Sequence, residues 1–166
     1  MRRKPQKDRF WREGKRKVKG TKVDLKAKII RFCALRERSE KQVKEKLYKL
    51  NAPVEWLEIL KEEGWWNQER YAKAFAYDHW NLHHWGKAKI NQELKREGVV
   101  EELRALAIET IPQDQYIHKL ARMIQRKIET RKESITDDER YKLRMHFLRK
   151  GFTFAEIELA EQNGES

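Results

Sequence analysis

Cysteine is nearly absent from this chain: Cys33 stands alone, so no internal disulfide can form and no oxidising compartment is implied. Turn formers are also few, with 3 Pro and 7 Gly in 166 residues. The Asn-Gly pair, Asn163-Gly164, lies near the end of the sequence and not between alternating strands. A sandwich or barrel built on tight hairpins is therefore excluded. Apolar runs extend only a few residues, far below the roughly 20 needed to cross a bilayer. No apolar stretch of the secretory type follows the basic start. The expectation is a cytoplasmic chain that makes no use of a membrane. Catalytic signatures are missing too. There is no glycine-rich phosphate loop and no Gly-x-Ser-x-Gly elbow, and nothing near Cys33 in sequence would activate a thiol. These absences lead us to expect no enzyme and no cofactor.

What the chain has in abundance is charge. Charged residues make up 40% against 39% hydrophobic, so any core is thin and the charged surface around it large. A net charge of +12 favours an anionic partner, nucleic acid first and a membrane surface second. The charge is unevenly placed. Between Met1 and Lys22 eleven cations face only Asp8 and Glu13, which puts +9 of the total there. With few apolar positions and interruptions at Gly14 and Gly20, residues 1–22 are expected to form a disordered arm. Arg2, Arg3, Lys4, Arg9, Arg12, Lys15, Arg16 and Lys17 would follow a phosphate backbone, and Phe10 and Trp11 would stack on unpaired bases.

Beyond the arm the sequence repeats itself. Segments beginning at Ser39, Gly86 and Glu139 align so that Val43, Ile90 and Leu143 coincide, followed by Leu47, Leu94 and Phe147, and then Asn51, Gly98 and Gly151. Leu57, Leu103 and Ile157 fall into a common later place, and Tyr71 aligns with Tyr116 in a further repeated segment. Apolar spacing of i, i+4 and i+7 or i+8 makes each element helical. Ser39 with Gln42, Thr136 with Glu139 and Thr153 with Glu156 have the spacing of capping boxes at helix starts. Asn51, Gly98 and Gly151 suit the left-handed residue that ends a helix, and Pro53 and Pro112 suit the first turn of the next. The sequence predicts an all-α protein of three tandem three-helix repeats, over residues 23–64, 65–110 and 111–166. Neighbouring units would stack into an elongated, curved array.

These repeats resemble the RecX family of regulators of the bacterial recombinase RecA. Leu35, Arg36, Arg38, Ser39, Glu40, Val43, Lys46 and Leu47 match its opening motif. Arg70, Tyr71, Ala72 and Phe75, followed by Trp85, Gly86, Lys89, Ile90, Glu93, Leu94 and Gly98, match its central signature. Phe147 to Phe152 resembles the closing motif. The resemblance implies a monomer that lies in the groove of a RecA filament on single-stranded DNA and damps ATPase, strand exchange and coprotease activities. A RecA-independent nucleic-acid-binding protein is the alternative.

Cations recurring beside the apolar positions mark a candidate face: Arg36, Arg38, Lys44 and Lys46 in the first unit, Lys87, Lys89, Lys95 and Arg96 in the second, Arg144, Arg149 and Lys150 in the third. Trp80 and Trp85 flank the loop of the second unit and are interface candidates. Trp65 and Trp66 stand where one ring would seal the joint between units one and two. His79 and His83 have the spacing of two metal ligands on a helix, but no third ligand accompanies them, so surface or packing roles are expected.

Overall fold

The computed structural model describes residues 21–130 and 135–164. The expected arm residues Arg2, Arg3, Lys4, Arg9, Trp11, Arg12, Lys15, Arg16 and Lys17 lie outside that range. Every regular element among the described residues is an α-helix. In chain order they are α1 (Lys22–Ala34), α2 (Glu40–Lys49), α3 (Trp56–Glu62), α4 (Gln68–Asn81), α5 (Lys87–Arg96), α6 (Glu101–Glu109), α7 (Gln113–Glu129), α8 (Asp137–Arg149) and α9 (Phe154–Gly164). None is long and apolar enough to cross a membrane.

Helix starts follow from short polar side chains that satisfy otherwise unpaired N–H groups. Ser39 and Thr136 close capping boxes with Gln42 and Glu139. Thr153 and Glu156 exchange the same reciprocal bonds, at 2.8 and 3.2 Å. A further box, Thr21 with Asp24, opens α1, so Lys22 belongs to that helix although the change in composition places it in the arm. The hydrogen bonds from Thr21 hold the Asp24 carboxyl below its usual range.

The middle helix of each unit, α2, α5 and α8, ends in one repeated way. Asn51, Gly98 and Gly151 take positive φ of 52, 82 and 90°. The following N–H then reaches back five residues: Ala52 to the Leu47 carbonyl at 3.0 Å, Val99 to Leu94 at 3.0 Å and Phe152 to Phe147 at 3.2 Å. This closure turns each chain end inward, over the buried Leu47, Leu94 and Phe147. Pro53 and Pro112 do not occupy the first helical turn. Pro53 precedes α3 and its carbonyl accepts from Trp56 N–H at 3.2 Å, a tight turn that leads into the helix. Pro112 is the extended N-cap of α7.

Two cores result. Ile29 and Cys33 of α1, Val43 and Leu47 of α2, and Trp56, Leu57 and Leu60 of α3 form the first, sealed by Trp66. Trp66 donates its indole N–H to the Arg38 carbonyl at 2.9 Å, whereas Trp65 stays exposed. The second core is continuous through the remaining two units and runs from Tyr71 and Trp80 through Ile90, Leu94, Tyr116 and Phe147 to Ile157. Each fully buried aliphatic or aromatic side chain contributes about 1.5–3 kcal/mol. Polar links join the first unit to the second: buried Ser39 donates to Glu97 at 2.6 Å, and Arg70 pairs with Glu37.

Candidate functional site

The second and third units meet where two helix ends abut. Gly86 N–H donates to the Lys150 carbonyl at 2.7 Å, and Ala88 N–H donates to the Gly151 carbonyl at 3.2 Å. The unpaired amides at the start of α5 are thus satisfied by the unpaired carbonyls at the end of α8, and opposite ends of two helix dipoles face each other. Glycine is required on both sides. A Cβ at Gly86 would lie 2.1 Å from the Gly151 oxygen, and one at Gly151 would lie 2.3 Å from Lys89 Cβ. Tyr116 of α7 completes the joint. Its hydroxyl accepts from Lys87 N–H at 3.1 Å and donates to Glu156 of α9 at 3.2 Å. Burial pushes the Tyr116 hydroxyl pKa well up, so it stays protonated and able to donate.

Cations converge on this seam. Lys150 is half-buried; desolvation and then the charges of Lys89 and Lys127 lower its pKa. His146 is lowered by burial and by Lys127, Lys150 and Arg149. His84 is lowered by burial and then by Lys119, Lys150, Arg126 and His83. Beyond their burial, these three groups feel several neighbouring cations, and a grouping of like charges of this kind attracts anions. Lys89 also rests 4.2 Å from the centre of the half-buried Trp85 ring, a cation–π contact that fixes both. Trp85 in turn packs against His79, with ring centres 4.5 Å apart.

The other candidate residues are distributed differently. Lys87 reaches Gln113 at 2.6 Å and lies over the Tyr116 ring. Lys95 and Arg96 are exposed at the far end of α5, about 12 Å along the helix from Lys87 at 1.5 Å per residue; Arg96 pairs with Glu93. Arg144 turns to Glu161 and makes a forked pair with it. Arg149 is exposed beside His146. In the first unit Arg38 and Lys46 gather over the Phe32 ring, at 4.0 and 5.3 Å, and desolvation lowers the Arg38 pKa. Lys44 pairs with Glu40, and Arg36 is exposed. Trp80 is buried in the second core, 7% exposed, so the bulk of its ring is a packing element.

The His79 and His83 rings lie with their centres 5.0 Å apart. His79 stacks on Phe75 at 3.7 Å, with Nδ1 bonded to the Phe75 carbonyl at 2.8 Å. Among the described residues no group of three metal-binding side chains assembles.

Sequence reasoning recognised the helix that begins at Gln113 but overlooked its cations. Lys119, Arg122 and Arg126 recur at helical spacing and form a basic stripe, with Lys127 beside it. The periodicity was present in the sequence. It was masked because α7 repeats α4 only through its apolar positions, and its cations have no counterparts there.

Comparison with known proteins gives consistent results. Residues 67–108, which span α4 to α6, match the model of the RecX second three-helix domain. A regulatory protein RecX from Oceanobacillus iheyensis is 26% identical over 137 residues, which cover 80% of this chain and 50% of that protein. One from Bacillus pumilus is 25% identical over 79% of this chain and 51% of its own length. The chain thus spans about half the length of the curated relatives it matches. The crystal structure of RecX from Lactobacillus salivarius superposes with a TM-score of 0.72 at 17% identity, covering 86% of this chain and 98% of that one, a likeness of fold.

Proposed function

This chain belongs to the RecX family, and from that premise we propose that it regulates a RecA recombinase by binding its filament on single-stranded DNA. The expected outcome is inhibition, with damping of ATPase, strand exchange and coprotease activity. The chain acts by binding and not by catalysis, as a monomer, with each three-helix unit as one module. Several modest contacts made together supply the avidity. The observation that supports this reading best is the gathering of Lys89, Lys127, Arg149 and Lys150 about the seam of units two and three, where burial and then these charges lower the pKa of Lys150 and of His146. Such a field suits the phosphates of a nucleoprotein filament or an acidic strip on its protein surface. Trp85, half-buried beneath Lys89, supplies an aromatic contact within it. The basic arm adds affinity for exposed DNA.

The test is the single-stranded-DNA-dependent ATPase of the cognate RecA. It is titrated with the full chain and with a chain beginning at Thr21, which keeps the cap of α1. Suppression by both, below one molecule per RecA protomer, assigns the function to the helical units. If only the full chain acts and excess DNA removes the effect, the chain is a RecA-independent nucleic-acid binder and the proposal fails. Charge reversal at Lys87, Lys89 and Lys95 should weaken inhibition, and unchanged inhibition by the folded variant would count against this face.

A further inference from the structure

Next to the seam, the end of α4, the loop over 82–86 and α7 enclose a cavity of about 330 Å³. Its size is at the lower end of the range for small-ligand pockets, roughly 300–1,000 Å³. Trp80, His84, His118, Lys119, Arg122 and Arg126 line it, and no carboxylate does. Two of these residues carry buried polar atoms without a protein partner: Trp80 Nε1 and His84 Nδ1. Trp80 is more than nine-tenths buried, and an indole N–H can only donate. A buried donor without an acceptor is costly, and native structures rarely keep one unless something fills the need. His84 is held at φ 56°, a left-handed backbone that few residues other than glycine adopt, histidine being among those that do so more readily. Residues in such conformations cluster at ligand sites. Lys119 is fixed at the rim by bonds to the Asn81 carbonyl at 2.7 Å and its side-chain oxygen at 2.9 Å. Arg122 and Arg126, exposed and four apart on α7, make no ion pair among the described residues.

We propose that this cavity is a binding site for a phosphate group. Two arginines, a lysine and two histidines line it beside Trp80, so the cavity is cationic. Two guanidiniums and an ammonium, with no carboxylate among them, suit the three or four oxygens and higher charge of phosphate better than the two oxygens of a carboxylate. Arg122 and Arg126, four residues apart on α7, supply two guanidinium groups from one helix. The phosphate belongs either to a nucleic-acid strand or to a free phosphate compound. Neither RecA nor the basic arm enters the proposal, so it stands or falls separately from the filament reading.

The test follows the indole N–H resonance of Trp80 in the full chain labelled with ¹⁵N-tryptophan, assigned with Trp80→Phe. Titrants are inorganic phosphate, a short oligothymidylate with and without a 5′-phosphate, and a glutamate-rich peptide of matched charge. A saturable shift at Trp80 with inorganic phosphate is expected, with Trp66 unmoved. A shift with both oligonucleotides identifies the strand backbone as the source; a shift with only the phosphorylated one identifies a terminal or free phosphate. Each result supports the site. The Arg122→Ala/Arg126→Ala variant should weaken binding at least tenfold, whereas Lys41→Ala/Lys49→Ala on α2 should leave it unchanged. Both pairs are exposed, and retained helical circular dichroism checks their folding. No saturable shift with any phosphate, a shift with the acidic peptide alone, or unaltered affinity in the double α7 variant would each overturn the proposal.

Discussion

Replacing Gly86 with alanine tests the joint between the second and third units. At φ −76° the residue already occupies backbone space open to any L-amino acid, so alanine introduces no conformational strain there. Elsewhere such a change would stabilise by about 0.4–1 kcal/mol through the unfolded chain. Here the new methyl would lie 2.1 Å from Gly151 O, 2.2 Å from its carbon and 2.4 Å from Phe152 N, all backbone atoms that no rotamer change can clear. Overpacking of this type costs about 1–3 kcal/mol. Separating the helix ends weakens the two seam hydrogen bonds, about 1 kcal/mol each. After subtraction of the entropic gain, Gly86→Ala should destabilise by about 3 kcal/mol. Gly98→Ala is the control. Its φ of 82° disfavours alanine, but nothing lies within 4 Å of the added carbon, so about 1–2 kcal/mol is expected from the backbone alone. Urea denaturation followed by circular dichroism measures both. If Gly86→Ala costs no more than Gly98→Ala, the end-to-end contact of α8 with α5 is not what joins the units, and the convergence of Lys89 and Lys150 loses its structural basis.

Other consequences can be checked more simply. Ser39→Ala removes a buried cap and the hydroxyl bonded to Glu97, so a loss of about 2 kcal/mol is expected in the same assay. Arg144→Ala should cost about 1 kcal/mol through its half-exposed pair with Glu161 and leave RecA inhibition within twofold of the original; a larger functional loss would return Arg144 to the binding face. Burial is the main cause that holds His79, His84 and His146 below the ordinary imidazole value. The unfolded chain therefore binds more protons once the pH drops towards about 6.5, and stability falls further as acidification approaches the depressed folded values. A melting temperature that stays level between about pH 7.5 and 5.5 would contradict those burials.

The helical ends were legible because each depends on a few local residues. Ser39, Thr136 and Thr153 announce starts through a partner three positions on, and Asn51, Gly98 and Gly151 announce stops through the left-handed conformation that glycine and asparagine adopt most readily. Pro53 and Pro112 were harder to place, since a proline fits the approach to a helix as well as its first turn. The charged face was only partly readable. Alignment of the repeats groups Lys87 with Lys95 because they share a helix, whereas folding places Lys87 at the seam and leaves Lys95 at the far end of α5. It also brings Lys127 of α7 to Lys150 at the end of α8, a proximity with no trace in either repeat. Trp80 shows the same limit: its spacing marks it as apolar, and only the packing shows that its buried N–H is left without a protein partner beside a cavity.

The division of the apolar interior into two cores means that resistance to unfolding is not one quantity for this protein. Residues around Ile29 and Leu47 answer to one cooperative unit, and those around Ile90, Tyr116 and Phe147 to another, with Ser39–Glu97 and Glu37–Arg70 as couplings between them. Amide exchange should accordingly sort into two protection plateaus. Gly86→Ala lowers the second and spares the first, while Ser39→Ala lowers the first and loosens the coupling. A protein arranged in this way can lose its leading unit to a local opening and still keep the seam, and the charges gathered on it, in place.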